Sequence, residues 1–230
     1  MSAYTVLITG ANRGIGLALA TQYAADGWQV LACCRQPQAA PSLQALAANH
    51  SNVKILALDV GDFKQIESLA MTLHNTPIDV LINNAGIYPE SSFGDSDETA
   101  WAQAFKINSM APLKMAEAFI TNLTKSQLKK VATLSSKMGS IDDNTSGESY
   151  IYRSSKTAVN MVMRNLALDL SPYGISVVTL HPGWVRTEMG GPNGLIDAPE
   201  SAAGMRKVIE QLNLTNSGKF IAFDGKEIAW

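Results

Sequence analysis

Tyr4-Thr5-Val6-Leu7-Ile8-Thr9, Gly10-Ala11-Asn12-Arg13-Gly14-Ile15-Gly16 and the stretch Leu17 to Asp26 are consecutive, and their reading decides the fold. The first segment is β-branched and apolar, the composition of a buried strand. The last has helical character and stops at Gly27. Strand, glycine turn and helix together are what a dinucleotide site needs. Glycines let the backbone approach a pyrophosphate, and the helix N-terminus offers free N–H groups and a positive dipole end. The spacing is Gly-x-x-x-Gly-x-Gly, so the general Gly-x-Gly-x-x-Gly fingerprint is met only loosely, and a plain tight strand–helix turn is the alternative.

Outward from this turn, apolar strand-like runs alternate with helical stretches, which argues for one parallel α/β sheet. The strands expected are Tyr4–Thr9, Gln29–Cys34, Val53–Leu58, Ile78–Ile82, Lys130–Leu134, Ile175–Leu180 and Lys219–Phe223. Helices are expected at Gly14–Asp26, Ser42–Asn49, Phe63–Asn75, Glu98–Lys106, Pro112–Thr124, Ile151–Leu170 and Glu200–Leu212. With 230 residues, 46% of them hydrophobic, the chain can bury a substantial core. No linker, repeat or low-complexity tract interrupts it. Gly190 to Pro199 reads as a loop, a candidate flap over a site.

A net charge of −2 gives no electrostatic reason to propose a nucleic-acid partner. Lys125, Lys129 and Lys130 read as a solvated lead-in to a strand. No apolar run approaches membrane-spanning length and no leader pattern opens the chain, so a cytoplasmic protein is expected. Cys33 and Cys34 are too few and too close for a disulfide framework. His50, His74 and His181 share no metal-ligand spacing, so no metal is expected.

The chemistry centres on Tyr152-Arg153-Ser154-Ser155-Lys156. A phenol has an ordinary pKa of about 10 and exchanges protons poorly at neutral pH. Positions i and i+4 share a helix face, so Lys156 can sit beside Tyr152 and draw that pKa down. Tyr150 has Ser154 at that spacing and no cation, which leaves it as a pocket-wall or packing residue. Asn108 reads either as a functional group or as a helix-breaking cap.

These segments together resemble the short-chain dehydrogenase/reductase family. Its Thr-Gly-x-x-x-Gly-x-Gly turn is Thr9 to Gly16, and its Asn-Asn-Ala-Gly segment is Asn83-Asn84-Ala85-Gly86. Its helical Asn is Asn108, its Ser-x-x-Gly element starts at Ser136, and its Pro-Gly-x-x-x-Thr element runs from Pro182 to Thr187. The order is the family's and the likeness spans essentially the whole chain. Asn144-Thr145-x-Gly147, His181 to Gly191 and Asp224 to Trp230 are similar to the subgroup containing the Sniffer carbonyl reductase and the C-factor proteins. The resemblance implies a doubly wound Rossmann fold of seven parallel strands with helices on both faces, residues 1–230 forming one NAD(P)-binding domain.

It also implies roles. Tyr152 is expected to give a proton to the forming alkoxide, and Ser136 to hydrogen-bond the carbonyl oxygen. Lys156 is expected to lower the Tyr pKa and hold the nicotinamide ribose, and Asn108 to fix Lys156 through a water. Cofactor contacts are expected from Gly10, Asn12, Gly14, Ile15, Gly16, Val60, Asn84, Ala85, Gly86, Val185 and Thr187, with Pro182 and Gly183 letting the backbone pass the nicotinamide. An acid at the end of the second strand would suit NAD, but Arg35 stands there and Arg13 lies in the glycine turn. Two guanidinium groups can grip one phosphate, which favours NADP over NAD. Asp59 is expected near the adenine amino group, a helix N-cap being its alternative.

Met138, Ile141, Trp184 and Met189 are candidate substrate-wall residues, with ordinary core as their alternative. Trp230 reads as a packing or interface anchor. Apolar residues on Ile151–Leu170 exceed a single stripe and suggest a homodimer, or a homotetramer. The activity expected is NADPH-dependent reduction of a small-molecule carbonyl. A regulatory role that binds NAD(P) without turnover is the second reading. Epimerisation or dehydration has no extra acid or base to support it.

Overall fold

The computed structural model describes residues 4–230. Met1, Ser2 and Ala3, which fall within the expected domain, lie outside the described residues. One sheet of seven parallel strands organises the chain, in the order β3-β2-β1-β4-β5-β6-β7. The chain runs β1 (Thr5–Thr9), α1 (Gly14–Ala25), β2 (Gln29–Cys34), α2 (Pro41–Asn49), β3 (Val53–Ala57), α3 (Phe63–Thr72) and β4 (Val80–Asn83). It continues through α4 (Glu98–Phe105), α5 (Ala111–Ala118), α6 (Ile120–Thr124), β5 (Lys130–Leu134), α7 (Tyr150–Leu170), β6 (Ser176–His181), α8 (Ala198–Gln211) and β7 (Lys219–Ala222).

Alternation along the strands builds both layers. In β1, Val6 and Ile8 join Leu19 and Tyr23 of α1, Leu43 of α2 and Met205 and Ile209 of α8 in one core. Leu7, facing the other way, joins Ile66 of α3, Met115 of α5 and Val159 and Met163 of α7 in the second. Both sheet faces are therefore covered, as a parallel sheet requires. Cys33 and Cys34 are buried, one in each core.

The expected elements are present with ends shifted by a few residues. One difference matters. Glu98 to Ala118 is interrupted by a turn of π-helix, Lys106–Met110, which holds Asn108. Such a bulge re-aims a side chain without ending the helix, so Asn108 is not a cap. The expected helix Pro112–Thr124 is also broken, at Phe119.

Lys130 corrects the reading of its cluster as solvated. Its side chain is buried, and Nζ donates to the carbonyls of Ile209 and Glu210 at 2.8 Å each. A cation there satisfies the orphan carbonyls at the end of α8. At the same end of the sheet, buried Asp79 accepts from the N–H groups of Thr5, Gln127 and Leu128 and ties the strand entries together. The opposite end, where the strands point, is left for the site. There β1 and β4 are neighbours while β1 continues to β2, which makes the gap between them the topological switch point.

Candidate active site

The floor of the site is the glycine turn. Gly10 and Gly14 have φ of +65° and +53°, a region that side chains rarely adopt. A Cβ on Gly16 would lie 2.2 Å from the Gly10 carbonyl oxygen and 2.5 Å from Asn84 Nδ2, so no side chain fits. Asn84 Nδ2 donates to the carbonyls of Thr9 and Gly10, and Thr9 Oγ1 accepts from the N–H groups of Asn84 and Ala85. The β1 and β4 ends are thereby locked together. Asn12 and Ile15 lie in the same turn, and no side chain caps the N-terminus of α1. Its first N–H groups stand free, as a pyrophosphate site requires.

The rear wall is α7. Gly139 packs directly on it: a Cβ there would lie 2.8 Å from both the carbonyl carbon and Cβ of Lys156. Thr157 and Asn160 donate to the Gly139 carbonyl, and Ser135 Oγ donates to Asn160 Oδ1 at 2.6 Å. This docking places Ser136 beside Tyr152, where its hydroxyl favours the ionised phenol. Ser136 Oγ also accepts from the Met138 N–H at 3.2 Å.

Lys156 is buried on the same helix face, its Nζ 5.7 Å from the Tyr152 ring centroid and donating to the Leu134 carbonyl at 2.9 Å. Asn108 is buried beside it. Its Oδ1 accepts from the Ile87 N–H, while Nδ2 donates to the Ile87 carbonyl and to Ser155 Oγ, each at 2.9 Å. Gly86 lies between: a Cβ there would meet Asn108 Oδ1 at 3.2 Å and Lys156 Nζ at 3.6 Å. The structure thus brings Asn84, Ala85, Gly86, Asn108, Ser136, Tyr152 and Lys156 to the ends of β4 and β5.

The electrostatics correct one expectation. Burial pushes the Tyr152 phenol up to about 12; the neighbouring Ser136 hydroxyl acts downward, and Tyr88 adds a smaller upward push. Lys156, its ammonium directed at the Leu134 carbonyl, does not offset that burial, so the net shift of the phenol is upward. Burial with no carboxylate partner instead pushes Lys156 itself down to about 8.

A stability prediction follows from Lys156. Below pH 8 the folded and unfolded chains both carry its proton, and the fold bears the full cost of a buried charge. Between about 8 and the ordinary 10.5 only the unfolded chain keeps the proton, so this contribution to stability rises with pH. Lys156→Met is expected to raise unfolding stability at pH 7 by on the order of 1–3 kcal/mol, partly offset by the unpaired Leu134 carbonyl. Urea titrations at pH 7 and pH 10 check this; a lower midpoint for the variant at pH 7 contradicts it.

Other expected residues lie around this centre. Thr187 approaches the glycine turn, its Cγ2 standing 3.3 Å from where a Gly14 Cβ would be. Val185 is buried, and it pairs with Ile196. Gly183, at φ +85°, is crowded by Ile196 and Phe223. Its lack of a side chain is therefore explained by packing within the chain. Ser201 Oγ holds the Pro182 carbonyl at 2.6 Å. Gly190 to Pro199 is laced to the chain before it: Leu195 and Ile196 donate to the Trp184 carbonyl, and Arg186 donates to those of Ile196 and Gly194.

Arg13 forms an ion pair with Glu188 across the site, whereas Arg35 at the end of β2 is exposed and pairs with no described acid. Asp59 follows β3 and accepts from the Gly61 N–H at 2.8 Å, beside buried Val60. The cap of α3 is Asp62, not Asp59. Met138 is half-buried, whereas Ile141, Trp184, Met189 and Tyr150 are exposed rather than core. Trp230 stacks on Phe220, and its main-chain oxygen accepts from Ile141 and Asp142, which fixes the loop after β5.

Sequence reasoning missed Tyr88, whose ring lies 4.4 Å from that of Tyr152, and Ser149. Glu148 and Ser149 follow Gly147 in the left-handed region, at φ +55° and +53°. Such a conformation costs about 1–2 kcal/mol per residue outside glycine. The only available signal was position, just before α7.

The sequence pattern of the short chain dehydrogenase family matches residues 4–195. C-signal of Myxococcus xanthus is 43% identical over 166 residues, 72% of this chain and 100% of that protein. Among solved structures, an NADPH-bound carbonyl reductase from chicken fatty liver superposes with a TM-score of 0.94 at 35% identity, covering 100% of both chains. The carbonyl reductase Sniffer of D. melanogaster gives 0.94 at 33% identity, again over 100% of both. The chain belongs to the short-chain dehydrogenase/reductase family, in the group that holds Sniffer and C-signal.

Proposed function

We propose that this protein is an NADPH-dependent reductase of aldehydes, ketones or quinones, with Tyr152 as its general acid and residues 1–230 acting as one cofactor-binding domain. The observation that carries the proposal is the convergence of Ser136, Tyr152, Lys156 and Asn108 beside a glycine turn with no room for a side chain at Gly16. NADPH, when bound, supplies the hydride. Gly10, Gly14, Gly16 and the free N–H groups of α1 fit its pyrophosphate. Lys156, next to Gly86, would hold the nicotinamide ribose.

The phenol, pushed up to about 12, is fully protonated at neutral pH and serves as a proton store. As a carbonyl oxygen gains negative charge, the Ser136 hydroxyl donates to it and Tyr152 delivers its proton. Lys156 then supports the phenolate through its positive charge. Asn108, fixed at three contacts, holds Gly86–Ile87 and the α7 face in register. Exposed Trp184, Met189 and Ile141, with Met138, would face an apolar substrate. Measuring NADPH oxidation with a panel of aldehydes, quinones, diketones and ketosteroids tests the proposal. Turnover of none would defeat it.

Arg35 carries the cofactor choice. Without an ion pair among the described residues at the end of β2, it suits a 2′-phosphate, while Arg13 must first release Glu188. Arg35→Asp is expected to weaken NADPH relative to NADH by roughly tenfold or more, the worth of a charge-assisted contact. Fluorescence titration with both cofactors checks this; equal losses would make Arg35 structural.

The likeness to C-signal supports a second reading, a regulatory protein that binds NAD(P) with little turnover. No described helix is long and apolar enough to cross a membrane, which is compatible with cytoplasmic residence. Met161 and Leu168 on α7 and Met110 are exposed apolar side chains, which supports a homodimer. A monomeric mass by light scattering at micromolar concentration would exclude that assembly.

A further inference from the structure

Tyr88 follows the Gly86–Ile87 segment that Asn108 grips through both main-chain groups of Ile87. Pro89 restricts its backbone from the other side. Its ring is tilted 47° to that of Tyr152 with centroids 4.4 Å apart, a geometry in which aromatic pairs attract beyond their buried area. Its hydroxyl meets Ser149 Oγ at 2.7 Å. Ser149 occupies the position where a hydroxyl would ordinarily cap α7, yet it makes no capping bond. That hydroxyl is committed to Tyr88. Two more bonds join the same segments: Ser149 N–H to the Ser91 carbonyl at 2.9 Å, and Ile151 N–H to Ser91 Oγ at 3.0 Å. The left-handed pair Glu148–Ser149 is therefore held from outside α7, by the loop after β4.

We infer that Tyr88 is the positioning residue for Tyr152: its ring, anchored through Asn108 on one side and Ser149 on the other, fixes the direction of the phenol. The inference rests on the proposed reductase function for its kinetic consequence but not for its structural one. Groups facing Tyr152 are Ser136 from the turn after β5, Lys156 from α7 itself and Tyr88 from the loop after β4. Among the described residues only Tyr88 touches the ring as an aromatic partner, so its removal frees the ring to reorient while Ser136 and Lys156 stay.

The test uses the full-length protein labelled with 13C-tyrosine, the Tyr152 ring signals being assigned by their loss in Tyr152→Phe. The parent is expected to show a slowly flipping Tyr152 ring and Tyr88→Leu an averaged one, while Tyr88→Phe, which keeps the ring but loses the Ser149 anchor, should flip faster than the parent and more slowly than Tyr88→Leu. With any substrate the parent reduces, kcat should fall about tenfold or more in Tyr88→Leu and about threefold or less in Tyr88→Phe, with KM and NADPH affinity nearly unchanged. Ser149→Ala provides a second variant should Tyr88→Leu fail to fold. It leaves both rings, removes the anchor and is expected to speed the Tyr152 flip. An unchanged Tyr152 ring signal in both Tyr88→Leu and Ser149→Ala overturns the inference, as does an unchanged kcat where the ring has been freed. If the parent reduces nothing, the proposed function fails, and the ring signals alone still decide whether Tyr88 holds Tyr152.

Discussion

Tyr152→Phe is expected to lower carbonyl reduction by roughly 10²–10⁴-fold, the usual worth of a positioned general acid. The ring survives, so its packing against Tyr88 and its place on α7 should persist. What disappears is the proton and the phenolic oxygen beside Ser136. NADPH affinity should change little, because the glycine turn, Lys156 and Gly86 are untouched. Stability at neutral pH should hold or rise slightly, since a buried hydroxyl is exchanged for an apolar edge. Steady-state kinetics beside a fluorescence titration separate these effects. Turnover within a few-fold of the parent would mean that another group delivers the proton.

Gly16→Ala is expected to be the most damaging single methyl in the chain's cofactor floor. The added carbon would lie 2.2 Å from the Gly10 carbonyl oxygen, a backbone atom held by Asn84. Neither side can yield without parting β1 from β4 or moving the start of α1. Overpacking of this kind costs roughly 1–3 kcal/mol or more, and the displaced N–H groups should weaken NADPH binding strongly. Gly14→Ala is the instructive contrast, meeting only the Thr187 side chain at 3.3 Å but strained by its φ of +53°. Urea unfolding and cofactor titration of Gly16→Ala check the prediction. Parent-like values in both would show that the turn is less tightly built than its geometry indicates.

Much of this architecture is legible in the chain because its signals are local. The strands announce themselves by apolar runs, and the glycine turn by residues that only a tight approach explains. The Tyr152–Lys156 pair is legible as a helix face for the same reason. The direction of their pKa shifts is not, because burial and the Leu134 carbonyl come from elsewhere in the fold. Lys130 is illegible for a similar cause: a lysine run looks solvated until the end of α8 is known to lie over it. Asn108 sits in a π-turn that no residue preference marks, and the crowding of Gly183 by Ile196 and Phe223 comes from distant parts of the chain. Tyr88 carries no pattern of its own. Its meaning arises only when the loop after β4 meets the start of α7.

Transfer of label from NADPH deuterated at the reactive nicotinamide carbon tests the central claim most directly. Mass spectrometry of products from the aldehyde, quinone, diketone and ketosteroid panel should find deuterium in the alcohol formed from at least one member. That transfer should be nearly abolished in Tyr152→Phe. Tight NADPH binding with no label in any alcohol product and no NADPH oxidised by any quinone would contradict the reductase account and favour a protein that reads the cofactor without using it.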